Sequence, residues 1–123
     1  MDKHQALYGF WSSFGLPAYD QYTVPDGATL PYITYEDVTD SFGNVVNMTA
    51  SLWYRDPSWA AISRKAQEIA DAIEAMYPIT LPLDTGRLYL TRGTPWAQRM
   101  NEPDDSGIRR VVLNIQAEYL TQS

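Results

Sequence analysis

The feature of this sequence that most constrains its fold is a long amphipathic segment near its middle. From Trp59 onward, apolar residues recur at steps of three and four, the spacing of one face of an α-helix. The residues on this face are Trp59, Ile62, Ala66, Ile69, Ile73 and Met76. Asp56 suits the N-cap, Pro57 suits the first helical position and Pro78 suits the end. The pattern predicts a helix over residues 57–77 with one buried face.

A second, shorter helix is predicted over residues 3–15, near the N-terminus. The apolar residues on one face of it are Leu7, Phe10, Trp11 and Phe14. Gly15 and Pro17 mark its end. The proline- and glycine-containing stretch that follows, residues 16–31, indicates a surface connection with a turn at Pro25-Asp26-Gly27.

Four segments are predicted to be β-strands, and they set the fold class. Residues 31–38 and 45–54 predict a hairpin, and residues 87–92 and 108–120 predict two further strands. Apolar and polar residues alternate within 46–54 and 111–119, so each of these strands has one buried face. Residues 93–107 are predicted to form a loop. We therefore expect one α+β domain over residues 1–123, with a four-stranded, mostly antiparallel sheet and both helices packed on it.

Composition excludes several classes of chemistry. The 123 residues include no Cys and a single His, His4, which excludes disulfides, Cys-based zinc sites, thiol nucleophiles and a Ser-His-Asp triad. Fifteen acidic residues against nine Lys and Arg give a net charge of −6, which does not suit a free nucleic-acid binder. We expect no cofactor and no bound metal.

The acidic residues do not indicate a catalytic or metal site. The densest cluster is Glu102, Asp104 and Asp105, whose spacing lacks the pattern of a calcium loop and favours a solvated turn. Glu36 and Asp37 are adjacent on a predicted strand, so they point to opposite faces and cannot act as a carboxylate pair. From this inventory we expect no enzymatic activity.

The tryptophans are the best candidates for a binding surface. Trp53 lies on the polar face of its strand, and Trp96 lies with Arg99 in the predicted loop. Aromatic and Arg side chains are enriched at protein–protein interfaces, although a Trp folded back on its own sheet remains an equal alternative. The candidate interface residues are Trp53, Trp96, Arg99, Glu102, Asp104 and Asp105. For Arg109 and Arg110, a solvated strand flank is favoured over a nucleic-acid patch.

The sequence carries no sign of membrane targeting. Residues 1–5 lack the basic stretch and the apolar stretch of a secretory signal. No apolar run approaches the roughly 18 residues that a membrane-spanning helix requires. We expect a soluble protein that is made inside the cell, with no membrane partner.

The order of these segments resembles a known family. After the short N-terminal helix come Leu-Pro-Ala-Tyr at residues 16–19 and Val-Pro-Asp-Gly-Ala-Thr-Leu-Pro-Tyr-Ile-Thr-Tyr at residues 24–35. Trp59 then enters a long helix that contains Ile69 and Ile73. This arrangement resembles the small tail-terminator and tail-completion proteins of long-tailed bacteriophages.

The resemblance implies a structural virion protein that is made in the host cytoplasm and has no catalysis and no cofactor. Such a protein forms a hexameric ring at the head-proximal end of the tail, where it caps the tail tube, ends tube growth and provides the surface for head joining. Its implied partners are further copies of itself, the tail tube protein and the head–tail connector, and DNA passes through the ring without specific binding. The alternatives are a head-completion or neck connector protein and a small ligand-binding module.

Overall fold

The computed structural model describes residues 2–38, 45–76, 79–84, 86–100 and 107–121. Within these ranges the chain forms two helices and one six-stranded sheet. The helices are α1 (Lys3–Ser12) and α2 (Ala60–Ala75). The strands are β1 (Ala18–Asp20), β2 (Tyr32–Tyr35), β3 (Val45–Arg55), β4 (Ile79–Leu83), β5 (Gly86–Met100) and β6 (Ile108–Thr121).

The sheet has the strand order β1-β2-β3-β6-β5-β4. β1 pairs with β2 in parallel, and the other neighbouring strands are antiparallel. α2 packs on the central strands β3, β6 and β5, whereas α1 contacts both outermost strands, β1 and β4. The sheet therefore curls around the helices. The predicted α+β class, the mostly antiparallel pairing and the two packed helices are confirmed.

The predicted number of strands is wrong, because β1 and β4 were not expected. β1 directly follows Pro17, and β4 contains Pro82. Proline removes a backbone donor, so both segments have the composition of connections. Both strands lie at the edges of the sheet, where a missing donor is tolerated because no further strand requires it.

The predicted loop over residues 93–107 is wrong as far as Met100, because β5 continues to that residue. The pairing of β5 with β6 shifts in register between Arg92 and Ala97, which is a bulge rather than a strand end. Gly93 lies in this bulge, where a Cβ atom would come within 3.0 Å of the Asn114 Cβ. Glycine therefore serves close packing of two strands here.

The start of α2 also differs from the prediction, since the helix begins at Ala60 and ends at Ala75. The Asp56 carboxylate accepts a hydrogen bond from the Ser58 backbone N–H at 2.8 Å, and the Ser58 hydroxyl accepts one from the Ala60 N–H at 3.0 Å. Trp59 occupies the N-cap position, and its side chain makes no capping hydrogen bond. Asp56 and Pro57 thus belong to a turn that precedes the helix.

One apolar core joins both helices to the concave face of the sheet. The predicted faces of the two helices are largely buried in it, with Leu7 and Trp11 from α1 and Ile62, Ile69 and Ile73 from α2. The strands contribute their alternate residues, which are Ile33, Tyr35, Met48, Ala50, Leu52, Leu88, Leu90, Val111, Leu113, Ile115 and Ala117. The alternation predicted for residues 46–54 and 111–119 is confirmed by this burial.

Tyr35 makes the stability of this core sensitive to alkaline pH. Burial raises the pKa of its phenol above the ordinary value of 10.0, and the negative charges of Asp20 and Asp37 raise it further. In the folded state the phenol stays neutral to a higher pH than in the unfolded state. It therefore contributes stability below pH 10, and this contribution is lost as the pH rises through the folded pKa. We expect the free energy of unfolding to fall less steeply above pH 10 in Tyr35→Phe than in the wild type. Urea denaturation at several pH values gives the slope of the free energy of unfolding against pH for each protein. Equal slopes for Tyr35→Phe and the wild type would contradict the raised pKa of Tyr35.

Candidate functional site

The convex face of the sheet is not covered by either helix, and it carries a row of large side chains across four strands. In the strand register, Tyr32 of β2 lies opposite Trp53 of β3, Trp53 opposite Arg110 of β6, and Arg110 opposite Met100 of β5. We call Tyr32, Trp53, Arg110 and Met100 the open-face row. Its side chains are half-buried or exposed. Tyr, Trp, Arg and Met are the residue types enriched in protein–protein interfaces.

Trp53 and Arg110 are held in fixed positions at the centre of this row. The Trp53 indole Nε1 donates a hydrogen bond to the Thr34 hydroxyl at 2.9 Å. The Arg110 guanidinium lies 4.6 Å from the Trp53 ring centroid, and its Nε donates to the Ser51 hydroxyl at 3.1 Å. Thr34 and Ser51 are themselves buried. Because these side chains are ordered before any partner arrives, binding on this face loses less conformational entropy.

Arg99 lies on the other face of the sheet, beside the start of α2. Its guanidinium is 4.9 Å from the centroid of the Trp59 ring, and the Arg109 guanidinium is 5.2 Å from the same ring. Arg109 also donates a hydrogen bond to the Pro57 carbonyl at 2.8 Å. The Arg99 side chain is exposed, so its charge is presented to solvent from a position fixed by an aromatic ring.

Trp96 is a half-buried strand residue packed against the core, which corrects its predicted place in a loop. Its indole Nε1 donates to the Ala66 carbonyl of α2 at 3.4 Å. With Ser63, Gln67 and Arg99 it lines a pocket of about 190 Å³ between α2 and β5. Most of its ring therefore contributes to packing between helix and sheet rather than to a free surface.

The candidate interface residues of the sequence divide into two groups and a remainder. Trp96 and Arg99 meet at the pocket beside α2, whereas Trp53 lies on the opposite, open face. Glu102, Asp104 and Asp105 lie outside the described residues. Trp53 therefore does not share a surface with Trp96 and Arg99.

Acidic side chains near α1 and β2 take structural partners. The Glu36 carboxylate accepts hydrogen bonds from the Thr49 backbone N–H at 2.8 Å and from the Thr49 hydroxyl. Asp37 forms an ion pair with Lys3 at 2.9 Å and contacts His4 Nδ1 at 3.4 Å. Across the described ranges no three His, Asp or Glu residues converge as metal ligands, and none of the helices there is long and apolar enough to cross a membrane.

Three members of the open-face row were not predicted from the sequence: Tyr32, Arg110 and Met100. Each of them lies on the face of its strand that points away from the core. For Tyr32 and Arg110, the alternation of apolar and polar residues in the sequence indicates this face. Their alignment in one row depends on the strand register, which the hydrophobic pattern alone does not give. Met100 was assigned to a loop, so its face was not considered.

The fold occurs in a known virus-like particle. A chain of the solved structure "Virion of native gene transfer agent (GTA) particle" superposes with a TM-score of 0.65 at 22% sequence identity. The superposition covers 94% of this chain and 90% of that chain. No family model matches the sequence, and no curated protein matches it. The likeness extends over nearly the whole of both chains and shows that they share a fold.

Proposed function

We propose that this chain is a structural subunit of a phage-like virion, in which it caps the tail tube and ends tube elongation. The observation that carries this proposal is the near full-length match to a chain of a gene transfer agent virion. The order of elements seen in the sequence supports the narrower assignment, since it resembles the tail-terminator proteins. In this role the chain is not an enzyme and needs no cofactor.

The proposed working form is a ring, with six copies as the tail-terminator resemblance implies. One side of the ring binds the tail tube protein, and the other side binds the head–tail connector. The open-face row suits one of these contacts, because it presents an ordered Trp and Arg at the centre of a sheet face that neither helix covers. The net charge of −6 suits a conduit through which DNA passes without being held.

The experiment mixes filled heads with headless tails made without this chain, and then adds the purified chain. Joined head–tail particles are counted by electron microscopy. We expect the wild type to restore joining and Met100→Asp to reduce it at least about tenfold, because a charge is then buried in a contact that excludes water. Met100 is 39% exposed and lies outside the core, so the variant should fold normally. Trp53→Ala should reduce joining as well, with its thermal unfolding measured in parallel.

Tyr8→Ala is the matched control, because Tyr8 is an exposed aromatic residue on α1 away from the open-face row. It should restore joining as well as the wild type does. Wild-type protein that fails to restore joining would contradict the proposal. Tails that keep normal length without the chain, beside heads that fail to join, would identify a neck or head-completion protein instead.

A further inference from the structure

We propose that neighbouring copies of this chain bind through Tyr22 of one copy, which inserts into an apolar groove on the opposite edge of the next. This inference rests on the proposed ring and names the contact that builds it. It depends on four features: an exposed aromatic ring on an ordered turn, a groove large enough for it, a glycine that keeps the groove open, and complementary charges.

Tyr22 is presented to solvent by an ordered turn. Its side chain is 86% exposed, the highest value among the large apolar and aromatic side chains of the described residues. The Tyr22 backbone N–H donates to the Asp20 carboxylate at 2.9 Å, and the Thr23 N–H donates to the Asp20 carbonyl at 3.0 Å. Because the backbone of this turn is fixed at the end of β1, only the Tyr22 side chain has to be ordered when the ring binds. A ring of this size buries roughly 150–250 Å² when a partner covers it.

The groove lies at the other edge of the sheet, between α1, the end of α2 and the outermost strand β4. Its volume is about 430 Å³, which is within the range of pockets that enclose a small ligand. Its lining is mostly apolar and includes Phe10, Phe14, Met76, Ile79, Leu81 and Pro82. Met76 is 70% exposed at the rim. A phenol ring fits both the size and the chemistry of this groove.

Gly9 keeps the groove open at a cost to α1. A glycine inside a helix destabilises it by about 1 kcal/mol relative to alanine. A Cβ atom at Gly9 would meet no atom of the described residues within 4 Å beyond its own helix and chain neighbours, so packing among those residues does not require glycine. Gly9 lines the groove, where a larger side chain would occupy the space. A ring inserted from a neighbouring copy accounts for this glycine.

Charge and position favour a second copy as the occupant. Asp20 and Asp26 flank Tyr22 in sequence, and the exposed Arg87 lies directly opposite Pro82 in the β4–β5 pair. Tyr22 follows one outermost strand and the groove borders the other, so the contact joins two different surfaces of the same chain. Such a heterologous contact repeats from copy to copy and closes into a ring when its rotation allows.

The test uses cysteine pairs, because the natural sequence contains no Cys. Chains with Thr23→Cys, which keep the Tyr22 ring, are mixed with differently sized chains carrying Met76→Cys at the groove rim, which keep Gly9. The mixture is oxidised, so that a cross-link between the two sizes joins two molecules. We expect this mixed product to exceed the one from Thr23→Cys and Tyr8→Cys at least about tenfold. Tyr8 adjoins Gly9 but does not line the groove, which makes it the matched control. Equal yields from the two mixtures would overturn the proposal.

Two further variants separate association from folding. Tyr22→Ala removes the ring, and Gly9→Leu fills the groove while raising helix propensity. Each should weaken self-association about thirtyfold in sedimentation experiments, with the unfolding temperature unchanged or, for Gly9→Leu, raised. Wild-type association in either variant would also overturn the contact. If the contact fails while the chain still caps tails, this inference is wrong and the proposed function stands. If the contact forms but the chain is absent from virions, the proposed function is wrong and the contact stands.

Discussion

Ile69→Asp should remove a large part of the folding stability of this chain. Ile69 has no exposed surface, and it lies in the middle of the α2 face that packs on the central strands. A carboxylate at this position either stays charged without a partner or takes up a proton at a free-energy cost, and the apolar contacts of the isoleucine are lost as well. The expected loss is about 4 kcal/mol or more, against a total stability of about 5–15 kcal/mol for domains of this kind.

Gln67→Asp is the control for this prediction, because it adds the same charge on the exposed side of the same helix. It removes the hydrogen bond from Gln67 Nε2 to the Asp71 carboxylate, so we expect a loss below about 1 kcal/mol. Urea denaturation followed by circular dichroism measures both variants. Equal midpoints for the two would show that the predicted apolar face of α2 is not the core of the fold.

Removing this chain from cells that make the proposed particle should abolish nearly all joined particles. A tube that grows by adding identical subunits presents the same surface at its end after every addition. The tube protein alone therefore neither stops growth nor creates a binding surface for a different structure. A capping subunit changes the chemistry of that end. We therefore expect overlong, headless tails, with filled heads left separate, when micrographs of lysates with and without the chain are compared. Supplying the chain from a plasmid should restore particles.

Two outcomes would contradict this prediction in different ways. Particles of normal number and tail length would show that the chain is not needed for assembly. Loss of tails altogether, with heads intact, would place the chain in tube initiation or in the tube itself rather than at its end.

The helices and long strands of this fold follow from sequence periodicity, and the edge strands do not. Steps of three and four residues in α2 and alternation in β3 and β6 reflect burial against a single core, so the pattern carries the structure. β1 has three residues and β4 contains a proline, so neither has an alternation of apolar and polar residues long enough to predict a strand. In β5, Gly93 and Pro95 have the composition of a loop, although they lie within a strand that bulges against β6.

The candidate site was only partly predictable for a similar reason. Trp53 was found because a large aromatic residue on the polar phase of a strand is unusual in a monomer. Its neighbours Tyr32 and Arg110 come from strands distant in sequence, and only the pairing register brings them together. Trp96 was predicted to lie in a loop, but it packs against α2. Its contact with the Ala66 carbonyl depends on how α2 lies across β5, which the sequence pattern does not give. Tyr22 carries no sequence signal, because the role proposed for it depends on its exposure.

Locating the chain within purified particles tests the central claim most directly. Cryo-electron microscopy of intact particles, with the chain carrying a small fused domain in a parallel sample, gives its position without reference to any variant. The proposed function predicts one ring of this fold between the last layer of the tail tube and the head–tail connector, with added density there in the fused sample. Density at the distal end of the tail, within the capsid shell or nowhere in the particle would contradict it.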